Sequence, residues 1–69
     1  MRMDLVVNGA LRHLNPAPVT VAELVAALAL TGKRIAVERN GEIVPKSRYG
    51  ETAVSPGDRI EIVAAVGGG

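Results

Sequence analysis

Apolar residues at Met3, Leu5 and Val7 alternate with Asp4 and Val6 as far as Asn8-Gly9, the dipeptide that best tolerates the positive φ angles of a two-residue hairpin turn. Residues 3–14 therefore read as strand, turn, strand. The second strand, Ala10 to Leu14, alternates less cleanly, because Leu11 and Leu14 share a face only through a bulge or an early end. Asn15-Pro16-Ala17-Pro18 then stops the pairing, since neither proline has an N–H to donate. Thr20-Val21-Ala22-Glu23 matches a capping box, in which the Thr oxygen accepts from a helical N–H and the Glu side chain returns to the cap residue's own N–H. Val21, Leu24, Val25 and Leu28 recur at helical spacing and predict a helix from about Val21 to Leu30, stopped by a left-handed Gly32 with Lys33 and Arg34 nearby. Ile35-Ala36-Val37-Glu38 reads as a third strand and Asn40-Gly41 as a second tight turn. Glu42-Ile43-Val44 follows as a short fourth strand that Pro45 ends. Lys46 to Ala53 is polar and irregular. Ser55-Pro56-Gly57-Asp58 has the proline–glycine order of a type II turn and leads into a last alternating strand, Arg59 to Val63.

One helix with one apolar stripe needs one sheet face to cover it. The element order predicts an α+β fold in which a mixed sheet of four to five strands grips one main helix, the β-grasp or ubiquitin-like arrangement. The domain is expected over residues 1–66, with a flexible glycine tail at 67–69. With 69 residues and no cysteine, the chain lies below the ~70–80 residues at which one core is comfortably stable, so its elements must be regular and well capped. The net charge of +1 and a single aromatic residue, Tyr49, argue against nucleic acid as a partner. The longest apolar run, Leu24 to Leu30, is far short of the ~20 residues that span a bilayer, and no signal-peptide pattern follows Met1. A soluble, cytoplasmic protein with no membrane contact is expected. One histidine, His13, and no thiol leave no usual zinc or redox ligand set, so no bound metal or cofactor is expected.

Gly67-Gly68-Gly69 is the sharpest chemical feature. Glycine has the most backbone entropy to lose on ordering, so nothing in folding calls for three in succession. A frayed terminus accounts for them in one way. A reactive tail does so in another: without Cβ atoms they pass through a narrow channel and leave the Gly69 carboxylate unhindered. Ala64 to Gly69, fully extended, reaches roughly 20 Å. An ionised carboxylate is a poor electrophile and must first be activated. Joined to AMP it gains a good leaving group, and a sulfur nucleophile then converts it to a thiocarboxylate. On this second reading the catalytic groups belong to other proteins, and since the chain offers no nucleophile–base pair of its own, a carrier and not an enzyme is expected.

The segment Ala36-Val37-Glu38-Arg39-Asn40-Gly41-Glu42-Ile43-Val44-Pro45-Lys46-Ser47, with Gly57-Asp58 and the terminal glycines, resembles the ThiS family of sulfur carriers of thiamine biosynthesis over nearly the whole chain. The resemblance implies that a ThiF-like adenylating enzyme uses ATP to activate Gly69. It also implies that a sulfur-delivery protein supplies the sulfur and that a ThiG-like thiazole synthase takes it for the thiazole ring. Gly68 is then the required neighbour of Gly69, and Gly67 extends the family's usual glycine pair. Val44-Pro45-Lys46 favours this family over the MoaD-like carriers of molybdopterin synthesis. Carriers for tRNA thiolation share the tail chemistry, and a noncovalent ubiquitin-like interaction module remains the alternative from another class.

Docking requires a surface as well as a tail. With Ile60 and Ile62 facing the helix, Glu61, Val63 and Ala65 turn outward, and Val6 is a candidate to join them in an exposed patch. Arg34, Arg39, Lys46 and Arg48 lie around the third and fourth strands, where they either meet an acidic partner or simply face solvent. Arg39 and Lys46 are the candidates carried forward. His13 is expected at the surface or an edge, and Tyr49 is expected to close the core.

Overall fold

A computed structural model describes residues 1–64. Strand β1 (Met3–Val7) pairs antiparallel with β2 (Ala10–Leu14), and helix α1 (Val21–Ala27) follows. Strand β3 (Ile35–Arg39) pairs antiparallel with β4 (Glu42–Val44). A 3₁₀ turn at Lys46–Arg48 precedes β5 (Arg59–Ala64). The sheet order is β2-β1-β5-β3-β4, with β5 parallel to β1 and antiparallel to β3. This is the mixed five-stranded sheet and single main helix of the β-grasp.

The core follows from period-two alternation meeting period-3.6 alternation. Leu5 and Val7 of β1, Val37 of β3, Val44 of β4, and Ile60 and Ile62 of β5 are buried with Val21, Leu24 and Val25 of α1 and with Val54. Leu5, Leu24 and Ile60 have no exposed surface, and burying each contributes about 1.5–3 kcal/mol. Tyr49 packs against this cluster, as its position suggests. In β2 no bulge is needed: Leu14 lies opposite Met3 and Leu11 opposite Val6, so the two leucines occupy opposite faces. Leu11 is left exposed.

Both Asn-Gly pairs form turns with φ positive at each residue, 51° and 81° at Asn8-Gly9 and 52° and 87° at Asn40-Gly41. The added Cβ would meet nothing within 4 Å at either glycine, so backbone conformation, not space, selects glycine there.

The helix termini differ in two details from the expected pattern. Thr20 Oγ1 accepts from the Glu23 N–H at 3.2 Å, but Glu23 Oε1 accepts from the Val19 N–H at 3.0 Å instead of from Thr20 itself. Residues 19–21 are already engaged with residues 52–54: Val21 N–H donates to Thr52 O and Val54 N–H to Val19 O, around a Thr20–Ala53 bridge. At the other end, Gly32 is not the helix stop. Ala29 is, with φ 61°: its N–H donates to Ala26 O, and the Leu30 N–H donates to Val25 O. That is a Schellman pair with alanine in the left-handed position. It ends the helix at Ala27, and Gly32 serves the next turn, where Lys33 N–H bonds Leu30 O. Lys33 and Arg34 consequently lie beyond the last helical turn, which holds no basic residue.

Ala29 bears the Cβ penalty of the left-handed region. Ala29→Gly is therefore expected to raise unfolding stability by about 1 kcal/mol, read as a higher urea midpoint with an unchanged slope. An equal or lower midpoint would show that the strain is not there.

Candidate functional site

The tail residues Gly67, Gly68 and Gly69, with Ala65, lie outside the described residues; the strand that leads to them does not. β5 occupies the middle of the sheet, between β1 and β3. On the β1 side, Val6 N–H donates to Asp58 O at 3.0 Å and Asn8 N–H to Ile60 O at 2.8 Å. β1 ends at Val7, and the Asn8 side chain takes its place. Asn8 Nδ2 donates to Ile62 O at 2.9 Å, and Asn8 Oδ1 accepts from Ile62 N–H at 2.7 Å. The carboxamide thus acts as one further peptide group of the ladder.

On the β3 side the second turn does the same work. Asn40 N–H donates to Arg59 O at 2.8 Å, and Asn40 Oδ1 accepts from Arg59 N–H at 2.9 Å. Asn40 Nδ2 donates to Asp58 Oδ1 at 3.1 Å, while Arg39 Nε at 2.7 Å and Ser55 N–H at 2.8 Å donate to Asp58 Oδ2. Asp58 is the one buried charged residue among those described. Burial is the largest single influence on its carboxyl and opposes ionisation. The hydrogen bonds from Ser55, Asn40 and Arg39, with the Arg39 charge, together outweigh it and hold the group below the ordinary carboxylate range.

Arg39 therefore has an internal partner. Its position opposite Ile60 puts it on the helix side of the sheet, not on the outer face. Lys46 is exposed and lines a small groove with Val25, Leu30, Ile35 and Tyr49, also on the helix side. Val63 is 60% exposed on the outer face, opposite Ala36. Val6 shares that face but is half-buried and lies opposite Arg59, four positions before Val63, a separation of roughly 13 Å along the strands. The structure thus brings neither Arg39 nor Lys46 to Val63, and it does not join Val6 to Val63. The outer face holds apolar residues the alternation alone did not single out: Ile43, 72% exposed and opposite Glu38, and Leu11, opposite Val6. β4 spans three residues, too few for its own alternation to fix which side chain faces out; the pairing with β3 does so.

His13 is exposed on β2, its Nδ1 2.6 Å from Asp4 Oδ1, and that hydrogen bond is the main reason the exposed Asp4 carboxyl lies below its ordinary range. Among the described residues no group of three potential ligands is placed to hold a metal ion, and no helix is long and apolar enough to cross a membrane.

The family model described as "ThiS family" matches residues 5–69. The chain is 48% identical over 50 residues to the sulfur carrier protein ThiS of Bacillus subtilis, covering 72% of this chain and 76% of that one. It is 51% identical over 67 residues to a thiazole synthase of Paramagnetospirillum magneticum. That match takes in 97% of this chain but only 20% of the relative's length. The crystal structure of a thiamine biosynthesis protein (ThiS) from Geobacter metallireducens superposes with a TM-score of 0.84 at 35% identity, over 97% of this chain and all of that one.

The carboxylate of Asp58 is the point on which this end of the sheet converges. Its lowered pKa means that it contributes stability above the unfolded value of about 3.9, a contribution lost as pH falls through the folded value. Asp58→Asn is expected to cost about 1–3 kcal/mol at pH 7. The gap between native and variant urea midpoints should narrow below pH ~4. A gap that is constant from pH 7 to pH 3 would contradict this role.

Proposed function

The chain belongs to the ThiS family, and from that membership we propose that it is a sulfur carrier whose Gly69 acyl group is activated and loaded by partner enzymes. In this reading the Gly69 carboxylate attacks the α-phosphorus of ATP on a ThiF-like adenylating enzyme, forming an acyl adenylate and releasing pyrophosphate. Hydrosulfide, supplied by a sulfur-delivery protein, then displaces AMP and leaves a thiocarboxylate. On a ThiG-like thiazole synthase that sulfur passes to the acceptor in exchange for an oxygen, so the carboxylate is regenerated and the carrier returns to the cycle. The chain is a protein co-substrate, ATP is bound by its partner, and an ATP-consuming cycle of this kind is placed in the cytoplasm.

The observation that carries the reading is that the family match runs through residue 69 and so takes in Gly67-Gly68-Gly69 together with the fold. The fold supports it physically. A tail that must enter another protein's active site benefits from a fixed origin, because less freedom is then lost on docking. β5 is bonded on both edges up to Ile62. The thiazole synthase relative, about five times the length of this chain, carries a similar stretch in a protein named for the proposed acceptor chemistry.

Incubation with ATP, a ThiF-like enzyme and a sulfide source should raise the intact mass by the replacement of one oxygen by sulfur, located at Gly69 by fragmentation. Deleting Gly68-Gly69 should abolish that change and leave the melting temperature unaltered. A native chain that never acquires sulfur contradicts the proposal, and transfer only to a molybdopterin-type acceptor would reassign its pathway. Val63→Asp on the outer face should weaken association with the adenylating enzyme about tenfold or more with the fold retained; unchanged affinity would remove Val63 from the docking surface.

A further inference from the structure

The chain has three asparagines: Asn8 and Asn40 precede glycine, and Asn15 precedes Pro16. A carboxamide followed by glycine is open to attack by the glycine nitrogen, because no Cβ shields that nitrogen and the backbone bends freely toward the side chain. Both glycines stand clear here. A Cβ at Gly9 or Gly41 would meet nothing within 4 Å, and among the described residues neither glycine N–H is given to a backbone acceptor. The restraint lies in the carboxamides themselves. Asn8 Oδ1 and Nδ2 are both engaged with Ile62, at 2.7 and 2.9 Å, so the group cannot turn to Gly9 while it holds that residue. Asn40 is held by the Arg59 N–H and by the Asp58 carboxylate.

We propose that Asn8 is a self-modification site, converted to aspartate or isoaspartate when its clamp on β5 opens, and that the conversion makes the opening permanent. The inference does not depend on the carrier reading. Once the Ile62 bonds part, the Gly9 nitrogen attacks the Asn8 side-chain carbon. The new N–C bond closes a succinimide, the C–NH2 bond breaks, and the Gly9 proton passes through solvent to the departing ammonia. Water then opens the ring at either carbonyl, giving aspartate or, with the chain rerouted through the side chain, isoaspartate. One water is consumed and one ammonia released, and no oxidant or reductant is needed. Either product is an anion without an N–H to offer Ile62 O. Isoaspartate also lengthens the backbone of a two-residue turn. Because β1 ends at Val7, no other group of that strand replaces the lost bond, and β5 is then held at Ile62 on its β3 edge alone. Two features place Asn8 ahead of Asn40. The attack builds negative charge on the side-chain oxygen, which at Asn40 would form beside the Asp58 carboxylate, its Oδ1 3.1 Å from Asn40 Nδ2. That bond is also charge-assisted and ties Asn40 to the cluster of Arg39 and Ser55, so it opens less often.

The test ages the native chain in mildly alkaline buffer, folded and in guanidinium chloride, and follows each asparagine by peptide mass mapping with isoaspartate detection. In denaturant, Asn8 and Asn40 should convert at similar rates and Asn15 not at all, since the proline nitrogen carries no proton to lose. In the folded chain both should slow by about tenfold or more, with Asn8 converting ahead of Asn40. Asn8→Asp, which supplies one product directly, should melt below the native chain, as should folded chain purified after conversion at Asn8. Equal rates at Asn8 with and without denaturant would show that the Ile62 bonds are no gate, and an Asn8 that survives even in denaturant would remove the site. Asn40 converting first in the folded chain would overturn the assignment to Asn8. Converted chain that melts with the native protein would show that the clamp survives the change. The mapping needs no variant, so it decides the gate even where Asn8→Asp does not fold.

Discussion

The Asn8 side chain donates to the carbonyl and accepts from the amide of Ile62, a residue 54 positions away, and so occupies the place where a peptide of β1 would stand. Without it, the parallel ladder would stop level with Ile60, because β1 turns back at Gly9 to form β2. Asn40 mirrors the arrangement on the opposite edge, bonding both backbone groups of Arg59 and one oxygen of Asp58. The two asparagines that make the hairpin turns are thus also the clamps on the central strand. In a domain this small, with ten buried aliphatic residues in its core among those described, such bonds matter because each contributes about 1 kcal/mol to a total margin of only a few.

Clamping β5 has an electrostatic counterpart. Asp58 gathers Arg39, Asn40 and Ser55 at the start of the strand, so the Arg39 charge is paired on the helix side of the sheet. Glu38 and Glu61 face each other across β3 and β5, with Arg59 bordering the pair. The basic residues that a sequence reading offers for docking, Arg39 and Lys46, therefore lie on the helix side, and the outer face beside Val63 is acidic at its centre.

Much of the fold was legible because its signals are local. Asn8-Gly9 and Asn40-Gly41 dictate turns from two residues each, alternation marks the strands, and Thr20 marks the helix start. What escaped depends on contacts between distant residues. The helix stop moved from Gly32 to Ala29 because Leu30, bonded back to Val25, belongs with the core, and that packing outweighs alanine's reluctance at positive φ. Val6 and Val63 share a face by alternation, but only the parallel register of β1 against β5 separates them. Glu38 and Glu61 lie 23 positions apart in the sequence, and no spacing within either strand announces that they are opposite. Gly67-Gly68-Gly69, which prompt the proposed chemistry, are a signal of residue type and not of arrangement, and they lie outside the described residues.

The account stands on transfer through the Gly69 carboxylate from a rigidly held central strand. ATP–pyrophosphate exchange catalysed by a ThiF-like enzyme measures the first step of that transfer directly. With the native chain exchange should be rapid. With a chain prepared to carry a carboxamide in place of the Gly69 carboxylate it should be absent, although the amidated chain still competes for the enzyme through the sheet. Exchange supported by the amidated chain would contradict the account.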